Sequence, residues 1–159
     1  MKVIYTGSFD PVTYGHLDII KRARDTFGEV IVAILHNPSK EGLFTIEERI
    51  YLLEESLKGE KNIEIDSFTG LGVDYAKKKK CRTFVRGIRT VSDYEMEKPL
   101  AMANKEYSYS VETVFLMSSK ENLFVSSSLA KEVAKYNGDL SLFVPEIVQK
   151  AMKDKYFGR

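Results

Sequence analysis

Short apolar runs alternate with stretches of helical period along this chain. Val3-Ile4-Tyr5 predicts a strand, and after it Leu17, Ile20, Ala23 and Phe27 recur at the spacing of one helix face. Val30 to Leu35 is a continuous apolar run rich in β-branched residues, the pattern of a parallel strand covered on both sides. Thr45-Ile46-Glu47-Glu48 predicts a capping box, with Thr45 at the N-cap and Glu48 reaching back. Ile50, Leu53 and Leu57 give that helix its buried stripe. Asn62 to Phe68 reads as a third strand and Val73 to Lys80 as a short helix. Thr83-Phe84-Val85 predicts a fourth strand, about Ser92 to Tyr107 a long helix, and Val111 to Met117 a fifth strand. Helices near Ser127–Tyr136 and Pro145–Lys155 follow. Strands alternating with helices predict an α/β fold. The expectation is one doubly wound, five-stranded parallel sheet with helices on both faces, joined by right-handed crossovers. No long linker or repeat divides residues 1–159, so a single domain is expected.

Composition narrows the function classes. The 159 residues are 43% apolar and 30% charged, ordinary for a soluble globular protein. Lys plus Arg (24) nearly balances Asp plus Glu (23), so no global field favours nucleic acid or an anionic membrane. The run Lys77–Lys80 reads as a solvated helix end, where cations suit the macrodipole. Cys81 is the single cysteine, which excludes an internal disulfide and a cysteine-built metal cluster; it reads as a small, partly buried apolar residue. Met1-Lys2-Val3-Ile4-Tyr5 runs directly into the first strand, so no signal peptide is expected. No apolar stretch approaches the roughly 20 residues that span a bilayer. A reduced, cytoplasmic setting is the expectation.

The candidate chemistry follows the strands, as ligand sites in open α/β sheets do. After the first strand comes Thr6-Gly7-Ser8-Phe9-Asp10-Pro11-Val12-Thr13-Tyr14-Gly15-His16. Thr13 is placed to cap a helix whose first turn contains Gly15 and His16, where free amides and the dipole favour an anion. Gly15 is a poor helix former, which has two readings: a ligand lies against the backbone there, or the glycine only packs closely. After the second strand, Lys40 lies in a loop before the capped helix, placed to bring a charge over a phosphate. After the fourth, Arg86-Gly87-Ile88-Arg89 brackets a glycine with two guanidinium groups able to bind phosphate bidentately. After the fifth, Phe124-Val125-Ser126-Ser127-Ser128 supplies more hydroxyls than a helix cap needs. Phosphate-binding groups after four strands point to a phosphorylated ligand. Other phosphate and hydrolase signatures are missing: there is no P-loop, and Gly70-Leu71-Gly72 has Tyr75 where a dinucleotide fingerprint needs its third glycine. A Gly-x-Ser-x-Gly elbow is also missing.

Thr13-Tyr14-Gly15-His16 resembles the Thr/His-x-Gly-His motif of the nucleotidylyltransferase superfamily, whose fold is Rossmann-like, and Ser126-Ser127-Ser128 resembles its second motif. With Gly7-Ser8-Phe9-Asp10-Pro11, Pro38-Ser39-Lys40, Phe44 to Arg49 and Arg86 to Arg89, the chain resembles the bacterial phosphopantetheine adenylyltransferase family from end to end. The resemblance implies reversible transfer of AMP from ATP to 4′-phosphopantetheine, giving dephospho-coenzyme A and pyrophosphate. It also implies magnesium with ATP, a homohexamer, and coenzyme A as a feedback inhibitor. Carried over, His16 would contact the α-phosphate and stabilise the transition state, with Lys40 and Arg89 counted beside it as catalytic. Ser8 and Phe9 would meet ATP, Ser8 also touching the acceptor. Gly87, Ile88, Arg89, Glu97, Asn122, Leu123, Phe124, Val125, Ser126, Ser127 and Ser128 would complete the ATP site. Lys40 and Arg86 would hold the acceptor phosphate, and Gly72, Leu100 and Asn104 would border the pantetheine arm.

A phosphate monoester is already an anionic nucleophile, so no strong base or covalent intermediate is required. The chemistry reduces to positioning and charge stabilisation. Phosphates beside His16 would favour its protonated form, from an ordinary pKa of about 6.5. No carboxylate cluster forms a metal cage, so no residue is assigned to metal and magnesium is expected on the ATP phosphates. Departures from the family pattern are Tyr14, Asn122 where an aromatic is common, and Lys98-Pro99, where proline can kink the long helix near Leu100 and Asn104. Two rivals stay open: a relative using another phosphorylated acceptor, such as nicotinamide mononucleotide or glycerol phosphate, and a non-catalytic nucleotide or coenzyme A sensor.

Overall fold

The β-branched runs pair with one another to form the centre of the structure. A computed structural model describes residues 1–158 apart from Pro38, Lys40 and Ser108. The strands are β1 (Lys2–Gly7), β2 (Glu29–Leu35), β3 (Ile63–Phe68), β4 (Thr83–Ile88) and β5 (Glu112–Met117). They form one parallel sheet in the order β3-β2-β1-β4-β5. The helices are α1 (Tyr14–Phe27), α2 (Ile46–Ser56), α3 (Gly72–Lys78), α4 (Val91–Glu106), α5 (Ser127–Lys135) and α6 (Glu146–Phe157).

Strand alternation divides the core. Val3 and Tyr5 of β1 and Val30, Val32 and Ile34 of β2 face one side, where α1, α2, α5 and α6 pack through residues such as Ile20, Leu53, Ala130 and Val148. Ile4, Ile31 and Ala33 face the other side, with Val73, Tyr75, Ala76, Cys81 and Phe84. Sequence order runs outward from β1 to β3, then returns to the other flank of β1 for β4 and β5. The strand order therefore reverses between β1 and β4, and the crevice beyond their carboxyl ends is where such sheets bind ligands.

The expected elements form, with four adjustments. β4 continues past Val85, so Arg86, Gly87 and Ile88 are its last residues and only Arg89 follows it; β5 remains alongside and supplies partners Phe115, Leu116 and Met117. In α2, Leu52 and Arg49 are buried while Ile50 is only partly so. α4 runs through Pro99 to Glu106 without ending. The proline has no N–H for the carbonyl of Glu95, and both residues are exposed, where water can serve instead. In the lysine run, Lys79 is not simply solvated: its ammonium pairs with Glu64 and Asp66, each at 2.6 Å.

Candidate active site

The β1–α1 loop sets His16 in one orientation and one tautomer. Thr13 caps α1, its hydroxyl accepting from the His16 amide at 3.3 Å. In return the Thr13 amide donates to Nδ1 of His16 at 3.1 Å. An Nδ1 that accepts leaves the proton of a neutral ring on Nε2. Nε2 makes no hydrogen bond among the described residues, and His16 lines an open cavity of about 310 Å³ with Ser8, Gly15, Arg86, Arg89 and Ser128. Burial first, then the charges of Arg86 and Arg89, pull the His16 pKa down to about 4. Phosphate was expected to favour the protonated ring; before any phosphate arrives, the ring is neutral at pH 7, and the two arginines are one reason.

Phe9 stands behind this histidine. Its backbone is left-handed (φ 46°) and its ring is fully buried, edge-on to His16 at 5.0 Å and to Tyr5 at 5.4 Å between centroids. A bulky residue in this backbone region is unfavourable alone, and burial of the ring holds it there. Gly15 lines the cavity too. A Cβ added to it would meet Thr13, Val125 and Asn122 at 3.6–3.9 Å, ordinary contact, so close packing does not demand glycine there. Gly87 is the opposite case: a Cβ would approach Ile19 of α1 to 3.0 Å, and packing against α1 explains it.

Asp10 and Arg49, whose contribution the sequence did not reveal, tie the loops together. The buried Asp10 carboxylate accepts from the amides of Leu43 and Phe44, both at 2.9 Å, and lies 3.4 Å from the Lys131 ammonium. Arg49, also buried, donates Nε to the Phe44 carbonyl (2.9 Å) and Nη1 to the Ser8 carbonyl (3.2 Å). Its Nε is 3.5 Å from Asp10. Ser127 donates its hydroxyl to the Pro11 carbonyl at 2.7 Å, and Ser126 caps α5. Of the serine run, then, Ser126 and Ser127 have structural partners, while all three line the cavity with Val125. The residue-type signal was present, in Asp10 between Phe9 and Pro11, but its partners are more than thirty positions away.

Both arginines of β4 and its following loop meet carboxylates of α4. Arg86 reaches Glu97 through Nε (2.8 Å) and Nη2, and directs Nη1 to the carbonyl and hydroxyl of Thr6. Arg89 pairs with Asp93 through Nε at 3.1 Å and donates Nη1 to the Val125 carbonyl at 3.0 Å. Burial alone would raise the Asp93 pKa, but the Arg89 amide and guanidinium hold it below the usual carboxylate range. Asp93 also completes the capping box of α4 with Thr90.

A second cavity, of about 270 Å³, contains Gly72, Leu100 and Asn104, and it shares Thr6, Arg86 and Glu97 with the first. The fold thus brings the residues expected beside the acceptor arm into one space adjoining that of His16. Ile88 is buried in the strand, and Leu123 and Phe124 are half-exposed, Phe124 lying edge-on to Phe143. Asn122 is beside Gly15 and donates to the Ser119 hydroxyl at 2.7 Å. None of these four is among the residues lining the His16 cavity. Lys40 lies outside the described residues. Among those described, no group of His, Cys, Asp or Glu is arranged to hold a metal ion, and no helix is long and apolar enough to cross a membrane.

Comparison with known proteins gives this arrangement its family. Residues 4–133 match the cytidylyltransferase-like family model. A phosphopantetheine adenylyltransferase of Alkaliphilus metalliredigens is 51% identical over 156 residues, covering 98% of this chain and 99% of the relative. One of Caldanaerobacter subterraneus subsp. tengcongensis is 52% identical over 153 residues, covering 96% of each. The chain therefore belongs to the cytidylyltransferase-like family and, within it, to the phosphopantetheine adenylyltransferases.

Proposed function

We propose that the two adjoining cavities hold ATP and acceptor on either side of Arg86, with His16 steadying the charge that passes between them. As a phosphopantetheine adenylyltransferase, the chain transfers AMP from ATP to 4′-phosphopantetheine, giving dephospho-coenzyme A and pyrophosphate, a reversible step of coenzyme A biosynthesis. The observation that carries the mechanism is the shared boundary of Thr6, Arg86 and Glu97 between the His16 cavity and that of Gly72, Leu100 and Asn104. The acceptor phosphate sits at that boundary, within reach of both spaces.

An oxygen of the acceptor phosphate attacks the α-phosphorus of ATP; the new P–O bond forms as the bond to pyrophosphate breaks. No proton need be removed from the nucleophile. His16 offers Nε2–H to an α-phosphate oxygen as charge accumulates there, and Thr13 keeps the ring turned for that task. Nucleotide phosphates, once bound, draw the His16 pKa back upward. Gly15 leaves the first turn of α1 open to the triphosphate, an interpretation supported by the room around its Cα. Ser8, Gly87, Arg89, Val125, Ser126, Ser127 and Ser128 border the nucleotide, while Ile88, Asn122, Leu123 and Phe124 support that wall from behind or at its rim. Phe9 acts through the ring it backs. Lys40 is assigned to the acceptor phosphate through the family resemblance of Pro38-Ser39-Lys40. Magnesium, expected with ATP, would be held by oxygens of the triphosphate, whose charge it would offset.

The wider reading is a single cytoplasmic domain working as a homohexamer, with coenzyme A competing at the acceptor cavity through the pantetheine arm the two molecules share. Incubation with MgATP and, separately, 4′-phosphopantetheine, nicotinamide mononucleotide or glycerol phosphate tests the acceptor. Pyrophosphate release is expected with 4′-phosphopantetheine alone; release with another acceptor instead would overturn the assignment.

A further inference from the structure

We infer that Glu97 is an internal competitor at the acceptor site: it occupies the phosphate-binding fork of Arg86 until an acceptor phosphate, helped by the rest of its molecule, displaces it. This rests on the reading that Arg86 receives the acceptor phosphate. The guanidinium has five N–H donors. Nε and Nη2 are turned to the two carboxylate oxygens of Glu97, and Nη1 to the carbonyl and hydroxyl of Thr6. A phosphate binds arginine through the same pair of donors that a carboxylate uses. Glu97 and an incoming phosphate are therefore alternatives at one edge of the group, while Thr6 anchors the other.

The surroundings permit the exchange. Arg86 and Glu97 line both cavities, so a ligand reaches the pair without opening the core. The two side chains keep 26% and 19% of their surface exposed, which leaves the pair accessible to solvent as well as to ligand. Glu97 sits on α4, none of whose residues is buried, so its carboxylate is not locked by packing of its own helix.

The consequence is a threshold for binding. Inorganic phosphate offers only the charge that must compete with Glu97. 4′-Phosphopantetheine offers the same charge plus an arm that fills the cavity of Gly72, Leu100 and Asn104. An arginine already paired weakens both ligands alike, so the bare anion, without the arm's contacts, falls below the affinity needed to occupy the site.

Calorimetric titration of the full chain with inorganic phosphate and with 4′-phosphopantetheine tests this in wild type, Glu97→Gln, Glu97→Ala, Arg86→Ala and the Glu97→Gln/Arg86→Ala double variant. Either Glu97 variant should tighten inorganic phosphate about threefold to tenfold. It should tighten 4′-phosphopantetheine by a similar factor, because both ligands displace the same carboxylate, and the gain should vanish in the double variant. Weaker or unchanged phosphate binding in both Glu97 variants would overturn the inference and make Glu97 a fixed support of Arg86. If Arg86→Ala itself leaves 4′-phosphopantetheine affinity unchanged, the underlying placement of the acceptor phosphate fails instead.

Discussion

His16 and Arg86 face one cavity, yet the walls presenting them are held by different forces. The β1–α1 wall is fixed before any ligand arrives: Phe9 is buried behind the histidine, Thr13 holds its Nδ1, and Asp10 and Arg49 bind the loop to the segment before α2. The α4 wall buries no residue and meets the site through two arginine–carboxylate pairs and a capping box. Groups held by packing and backbone hydrogen bonds keep their geometry whatever the charge nearby. Groups held by matched charge respond to a new charge. The division suits a reaction between two anions: the residue that must be placed accurately in the transition state is on the rigid wall, and the arginines that must receive phosphate are held by carboxylates of the responsive one.

The largest expected effect is on the rigid wall. Asp10→Ala leaves Arg49 buried without its carboxylate and frees two amides, so it should destabilise the fold by about 3–5 kcal/mol in urea unfolding. A loss below about 1 kcal/mol would mean that this wall is not built on the Asp10–Arg49 tie.

The second effect is a pH dependence belonging to His16. Its pKa is lowered on folding to about 4, from about 6.5 in the unfolded chain. The unfolded state therefore binds the extra proton first. Stability from the neutral ring is complete above pH 6.5 and is lost as pH falls toward and through 4, on the order of 1–3 kcal/mol. The test is the difference in unfolding free energy between wild type and His16→Gln across that window. It should shrink in favour of the variant on acidification, and NMR titration of the ring should shift upward when MgATP is added.

Smallest is the cap of α4. Thr90→Ala should cost about 1 kcal/mol. Because α4 has no buried residue, the loss should appear in amide exchange confined to α4, with the global midpoint almost unmoved.

The sheet was legible because its strands are written as apolar runs and its helices as periodic stripes or capping boxes; Thr45 and Glu48 cap α2 as their spacing predicts. The end of β4 was not, because Arg86-Gly87 resembles a break, whereas Gly87 serves passage against Ile19 while the ladder with β5 continues. Within the site, His16 was legible from its motif and its place after β1. Its lowered pKa was not, since that depends first on burial and then on Arg86 and Arg89, which only the fold brings near. The same holds for the arginines: their residue type announces phosphate, but nothing local tells that Glu97 and Asp93 already hold them. The i,i+4 spacing of Arg89 and Asp93 was the one available hint.

Steady-state pyrophosphate release by His16→Ala with MgATP and 4′-phosphopantetheine tests the role of His16 most directly. The value of kcat is expected to fall by about 10²–10³ while both KM values stay within a few fold, because the lost hydrogen bond forms only as charge develops on the α-phosphate. An unchanged kcat with a large rise in KM would contradict that role and make His16 a ground-state binding residue.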